Sequence, residues 1–209
     1  MIKWKRMPVG PVAANCYIVW NDSKNCLIID PGGEAEKIRS AINKLELTPK
    51  AILLTHCHFD HIAALEDIRT FYSIPVYVHE NEAKWLLDPA LNGSQLFKAG
   101  IVRCKPADHF FTSEGTHEVE GLKFTLFETP GHSPGSVTFY FEEAGFVISG
   151  DALFYGSIGR TDLPGGNHQE LIKSIKEKLL TLPDDTIVLS GHDQETTIFH
   201  EKEFNPFLK

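Results

Sequence analysis

Thr55-His56-Cys57-His58-Phe59-Asp60-His61 follows directly on the apolar run Ala51-Ile52-Leu53-Leu54. A short apolar run bounded in this way reads as a buried strand, so the histidines and the aspartate stand at its end. In extended backbone, side chains two residues apart share a side, which points His56 and His58 the same way. Asp60 and His61 stand at the entry of the next helix and can face a second position beside the first. The pattern then repeats along the chain. Phe124–Phe127 runs into Thr129-Pro130-Gly131-His132, Phe146–Ile148 into Ser149-Gly150-Asp151, and Ile187–Leu189 into Ser190-Gly191-His192. Groups at the ends of rigid strands can converge on one cleft.

A lone histidine at a strand end is more often a hydrogen-bonded structural residue than a ligand. Three histidines and an aspartate within six residues reverse that reading, because such groups are costly neighbours unless something binds them. A nitrogen and oxygen set without cysteine suits Zn, Fe or Mn and separates them poorly. Structural zinc would normally bring thiolates in a closed tetrahedron. His56, His58, Asp60, His61, His132, Asp151 and His192 are too many ligands for one ion and suit two ions about 3.5–4 Å apart.

Working outward, 209 residues predict a single domain over 1–209. The apolar fraction of 42% and charged fraction of 23% are those of an ordinary globular chain, which excludes disordered and fibrous classes. A net charge of -8 argues against a nucleic-acid or anionic-membrane binder. Cys16, Cys26, Cys57 and Cys104 form no C-x-x-C pair, so reduced thiols in a cytoplasmic protein are expected. The basic start, Lys3-Trp4-Lys5-Arg6, lacks the apolar segment of a signal peptide, and no apolar run is long enough to span a membrane. Nothing in the residues sets an oligomeric state.

The patterning predicts strands at 15–20, 26–30, 51–54, 76–78, 122–127, 137–141, 146–148 and 186–189. Helices are expected over 34–47, 61–72, 81–87 and 168–180. Residues 88–116 read as a long surface excursion that could cover the site. Hairpin-like pairs opening both halves, at 15–30 and 122–148, suggest two layered sheets flanked by helices rather than one doubly wound sheet.

The string T-H-x-H-x-D-H with a distant His, Asp and His resembles the metallo-β-lactamase superfamily. The resemblance runs from Asn15-Cys16-Tyr17 and Leu27-Ile28-Ile29-Asp30-Pro31-Gly32 to Gly191-His192. It implies an α/β, four-layer αβ/βα sandwich. More narrowly, Ser157-Ile158-Gly159-Arg160-Thr161-Asp162-Leu163-Pro164 and Asn205-Pro206-Phe207-Leu208 resemble short glyoxalase II-like hydrolases. Carried over by position, His56, His58 and His132 would hold one divalent metal and Asp60, His61 and His192 a second, with Asp151 bridging. Zinc is the expected metal, with iron or manganese as alternatives, and Asp30 would orient a ligand from behind. Asp60 and Asp151 would keep the metals and a metal-bridging hydroxide in place while it attacks a thioester such as S-D-lactoylglutathione.

Only 17 residues follow His192, too few for the helical extension that helps longer members hold glutathione. Thiol recognition would then fall to loops of the main domain, or the substrate would be a different thiol conjugate. Arg160 is a candidate contact for a substrate carboxylate; a tie to Asp162 that shapes the loop is the rival reading. Tyr155 is a second candidate for substrate contact. The Gly159–Asp162 stretch also resembles persulfide dioxygenases of the same superfamily, which use one iron, and a lactonase or a non-catalytic metal-binding module are further readings. Alternation turns Cys57 away from His56 and His58, as a packed small hydrophobe. His79, His109, His117, His168 and His200 show no ligand spacing and are assigned surface or capping roles.

Overall fold

The computed structural model describes residues 1–97 and 100–209. Residues 98 and 99, within the excursion expected over 88–116, lie outside the described residues. The chain divides into two compact units. One comprises Met1–Thr112 with Glu118–Lys123, the other Ser113–His117 with Phe124–Lys209.

The first unit is built on six strands: β1 (Lys3–Val9), β2 (Ala14–Trp20), β3 (Asn25–Ile29), β4 (Thr48–Leu53), β5 (Val76–His79) and β6 (His109–Phe111). They lie side by side in chain order. β1, β2 and β3 pair antiparallel, and β3 through β6 pair parallel. Parallel pairing needs crossovers. The first two are supplied by α1 (Ala35–Lys44) between β3 and β4, and by α2 (Phe59–Ile62) and α3 (Leu65–Tyr72) between β4 and β5. Ile38 and Ile42 of α1, with Ile62, Leu65 and Ile68 of α2 and α3, share one buried cluster with Ile18, Ile28 and Ile52 of the sheet. Burial of that apolar face, rather than helix propensity, holds these short helices.

β7 (Gly115–Val119) and β8 (Leu122–Glu128) each have residues in both units, and β9 (Val137–Phe141) and β10 (Phe146–Gly150) belong to the second. The short hairpin β11 (Leu153–Phe154) and β12 (Ser157–Ile158) follows, then helix α4 (His168–Ser174), β13 (Ile187–Ser190), β14 (Thr196–Thr197) and helix α5 (Ile198–Phe204). The sheet order is β14-β13-β10-β9-β8-β7. β10 and β13 are parallel neighbours, with antiparallel pairs outside them. Leu171, Ile175 and Leu179 bury against Val147, Val188 and Leu153.

The structure corrects several expectations. The helix expected over 61–72 is two helices, because the backbone turns at Ala63-Ala64 so that Ala64 N–H donates to the carbonyl of Pro31 at 2.9 Å. The helix expected over 81–87 is only a 3-10 turn, Glu80–Glu82. Burial of Glu82, Trp85 and Leu86 sets that stretch, which is too short to nucleate a helix by itself. The helix expected over 168–180 widens after Ser174 into a π turn, with Leu180 N–H reaching the carbonyl of Ile175. The strand expected over 26–30 stops at Ile29, since Asp30 adopts the left-handed conformation, φ 51°. The basic start is β1, a charged edge strand in register with the whole of β2.

The excursion is tied down at several points. Buried Asn92 donates to the carbonyls of Trp85 and Val102, its own carbonyl accepts Phe59 N–H at 2.9 Å, and Cys104 N–H donates to Leu86 at 2.7 Å. Its later part enters the sheets as β6 and the start of β7.

Candidate metal centre

In the first unit, the carbonyl of Leu53 at the end of β4 accepts Asp30 N–H, and Leu54 N–H donates to Tyr77, so Thr55 leaves the sheet from a fixed point. The left-handed turn at Asp30 aims its carboxylate at that point. Oδ1 accepts Thr55 N–H at 2.8 Å, and Oδ2 accepts the Thr55 hydroxyl at 2.5 Å. Oδ2 also lies 3.0 Å from His61 Nδ1. A carboxylate oxygen accepts, so His61 carries its proton on Nδ1 and keeps the Nε2 lone pair for a ligand bond. Because the Thr55 hydroxyl donates to Asp30, its oxygen is left to accept from His56 Nδ1 at 3.1 Å, which assigns the same tautomer to His56.

The rings gather accordingly. His56 lies 4.9 Å from His58 and 4.1 Å from His61 between ring centroids. His58 also packs on Trp85 at 5.5 Å. Asp30, His56 and His61 each place one donor atom within 4.8 Å of the others, all three side chains buried. Asp60 Oδ2 is 3.7 Å from His61 Nε2. Glycine at position 32 allows this crowding: a Cβ there would stand 1.6 Å from the carbonyl oxygen of Asp60.

In the second unit, Gly191 N–H donates to the carbonyl of Gly150 at 2.7 Å, which ties the ends of β10 and β13 together with Asp151 and His192 beside them. Asp151 Oδ2 stands 3.5 Å from His192 Nε2 and 3.5 Å from His132 Nε2. The Nδ1 of His132 lies 2.8 Å from the carbonyl oxygen of Arg160. A carbonyl only accepts, so this proton is on Nδ1 and Nε2 faces Asp151 as an acceptor. The chain returns closely enough because residue 159 is glycine. A Cβ there would meet the Asp151 carbonyl oxygen at 1.8 Å.

The donor chemistry fits a divalent cation of borderline softness. Bonds of about 2.0–2.2 Å in a tetrahedron place neighbouring donors about 3.4 Å apart, which matches the 3.5 Å on either side of Asp151. His56, His61 and His132 present Nε2, and their second nitrogens are held from behind, as metal ligands require. Cys57 stays out of the donor set. Its side chain is fully buried, and burial, with Glu82 beside it, pushes the thiol well above its ordinary range.

The substrate candidates are placed differently. Arg160 spends its guanidinium on a bidentate pair with Asp162, 2.7 and 2.8 Å, which is the loop tie set against a substrate contact at the sequence level. Tyr155 is half-exposed at the tip of the β11–β12 hairpin, with its ring stacked on His200 at 4.6 Å. His79 has the expected capping role, accepting Asn81 N–H, but it is buried rather than exposed. Sequence reasoning missed Thr55 as the relay to His56, the Arg160 carbonyl as the partner of His132, and Glu82, whose Oε2 accepts Cys57 N–H at 2.5 Å. Thr55 lies inside the motif. The other two carry no sequence signal, because a backbone carbonyl has no residue signature and Glu80-Asn81-Glu82 reads as a surface turn.

Comparison with known proteins agrees with this geometry. The chain is 54% identical to the "Probable metallo-hydrolase YqgX" of Bacillus subtilis (strain 168), covering 99% of this chain and 98% of that protein. It is 39% identical to the "Hydroxyacylglutathione hydrolase GloC" of Haemophilus influenzae, covering 97% and 96%. Among solved structures, the BLEG-1 B3 metallo-beta-lactamase superposes with a TM-score of 0.97 at 50% identity, covering 99% of this chain and 100% of that one. TTHA1623 in a di-iron-bound form superposes with a TM-score of 0.86 at 38% identity, covering 98% and 100%. With a family model matching residues 9–192 as well, the chain belongs to the metallo-beta-lactamase superfamily.

Proposed function

We propose that this metallo-hydrolase-family protein cleaves a small thioester of the hydroxyacyl-thiol class, such as S-D-lactoylglutathione. The observation that carries the reading is the 39% identity to a hydroxyacylglutathione hydrolase over nearly the whole of both chains. His56, His58 and His132 would hold one cation and Asp60, His61 and His192 the other, with Asp151 shared. Bound there, two divalent cations supply a water of lowered pKa as nucleophile and polarise the scissile carbonyl.

The chain's own residues prepare that chemistry. Asp30 holds the proton of His61 at Nδ1 and, through Thr55, that of His56, so neither ring can turn its donor nitrogen away. The Arg160 carbonyl does the same for His132. Asp151, with one oxygen equidistant from two imidazoles, is suited to a shared position. A thiolate leaves readily, with a thiol pKa near 8.5, so the reaction asks little of a general acid. The di-iron form of the 38% identical TTHA1623 supports iron beside zinc as the native metal. The four free, buried cysteines support a cytoplasmic setting, and the net charge of -8 supports a small molecule rather than a nucleic acid as partner.

The structural likeness to a B3 metallo-beta-lactamase at 50% identity favours a second reading, β-lactam hydrolysis by the same centre. Zinc- and iron-loaded preparations, assayed with S-D-lactoylglutathione, a chromogenic cephalosporin and glutathione persulfide under oxygen electrode recording, separate these readings. Metal-dependent thioester cleavage that far exceeds β-lactam turnover, without oxygen uptake, is the expected result. β-lactam turnover in large excess would replace the thioesterase with the second reading, and iron-dependent oxygen uptake without thioesterase activity would make the protein a dioxygenase.

A further inference from the structure

Among the described residues, four carboxylate side chains are buried: Asp30, Glu82, Asp151 and Glu201. Burying a carboxylate costs a large desolvation penalty unless donors meet it. Asp30 and Asp151 are accounted for by the centre described above. Glu82 and Glu201 belong to no ligand set, yet both are completely shielded from solvent.

Glu82 closes the 3-10 turn after β5, and its Oε2 accepts the backbone N–H of Cys57 at 2.5 Å. That peptide lies between His56 and His58, beyond the last residue of β4. The N–H of a non-ladder peptide is a handle on the backbone, and gripping it sets the direction in which the two flanking side chains emerge. Glu201, on α5, plays a parallel part in the other unit. Its two oxygens take Gly156 N–H at 3.0 and 3.2 Å, the Thr196 hydroxyl at 2.6 Å and the Asn205 amide at 2.7 Å. Gly156 is the turn of the β11–β12 hairpin, and that hairpin joins Asp151 to the Arg160 carbonyl that fixes His132.

We infer that Glu82 and Glu201 are positioning residues of the metal centre, each gripping the backbone of a ligand-bearing segment from outside the ligand set. The inference rests on the metal-centre reading proposed above. It assigns the two glutamates to ligand geometry rather than to filling a core, and the two roles have different consequences. A filler can be replaced by an isosteric apolar side chain; a grip on an N–H cannot. Removing outer partners of metal ligands weakens metal binding by about 10–100-fold.

The test is a chelator-competition titration with zinc, joined to the visible absorption spectrum of the cobalt-substituted protein. Glu82→Met keeps the volume and loses the acceptor, Glu82→Asp keeps the charge and withdraws the oxygen by one methylene, and Glu82→Gln keeps one acceptor oxygen. Met and Asp variants should bind zinc about 10–100-fold more weakly with an altered cobalt spectrum, and Gln, with one acceptor oxygen left for the Cys57 N–H and thiol, should fall between them and the wild type. For Glu201, where three donor groups converge, Gln as well as Met should weaken binding. The exposed Glu143→Gln is the control. A wild type that binds two cations beside Met and Asp variants of unchanged affinity and spectrum, whatever their melting temperature, overturns the assignment for that glutamate. A wild type that binds no cation overturns the metal-centre reading and this inference with it.

Discussion

The Oδ2 of Asp30 lies 3.0 Å from the Nδ1 of His61, although 31 positions separate the two residues. The same carboxylate takes the backbone N–H and the hydroxyl of Thr55, so every contact made to it comes from a donor. Asp30→Asn would turn an amide NH2 toward one of those donors and release a histidine. Zinc affinity should fall about 10–100-fold, with kcat falling alongside it. Chelator competition reads the first effect and steady-state kinetics the second; an unchanged affinity would remove Asp30 from the centre.

Gly32→Ala and Gly159→Ala probe the close approaches beneath Asp60 and Asp151. Each new methyl meets a carbonyl oxygen at less than 2 Å, and backbone must move. Overpacking of this kind costs about 1–3 kcal/mol. Thermal unfolding should show a lowered Tm for both variants, and metal content should fall because the displaced peptide carries the ligand. A variant with wild-type Tm and metal content would show that the backbone yields freely.

Metal removal offers a direct check. A ligand that binds only the folded state stabilises it by about 2.7 kcal/mol at one hundred times its Kd. EDTA treatment should therefore lower the Tm and abolish turnover, and added zinc or iron should restore both. Loss of activity without any change in Tm would mean that the cation is not held by the folded chain.

Asp162 is pulled down to about 2, first by its hydrogen bond to Arg160. The ordinary carboxyl value is about 3.9. A depressed folded value means that the ionised form is favoured by folding. The contribution is complete above about pH 4 and is lost as pH falls towards 2. Both side chains are largely exposed, so screening keeps the effect small. Carbon-detected NMR titration should place Asp162 near 2 in the wild type and higher in Arg160→Ala. That variant keeps its backbone carbonyl on His132 and should retain zinc affinity; a large rise in KM alone would return Arg160 to the substrate.

Cys57 sits between two candidate ligands but should be inert. Its thiol is fully buried and pushed well above the ordinary range, and the thiolate is the reactive form. Iodoacetamide should leave Cys57 unmodified in the native protein and label it after unfolding, as read by mass spectrometry. Rapid native labelling would show that the segment opens.

The local pattern of residues determined a good deal by itself. Short apolar runs ending in His or Asp identified β4, β8, β10 and β13 and, with them, the seven candidate ligands, because strand patterning is a period-two signal carried by neighbouring residues. The charge balance and the unpaired cysteines were equally readable. Tertiary structure decided what depends on contacts between distant positions. The break at Ala63-Ala64 exists because Pro31 offers its carbonyl there, and the turn at Glu80–Glu82 exists because Glu82, Trp85 and Leu86 bury. Edge strand β1 is recognisable through its pairing with β2, since three of its seven residues are charged. Which partner holds each histidine follows the same rule. Asp30 for His61, the Arg160 carbonyl for His132 and Glu82 for the peptide at Cys57 are relationships across 25 or more positions. Such pairs come together only when the sheet and its crossovers have formed, and no local periodicity encodes them.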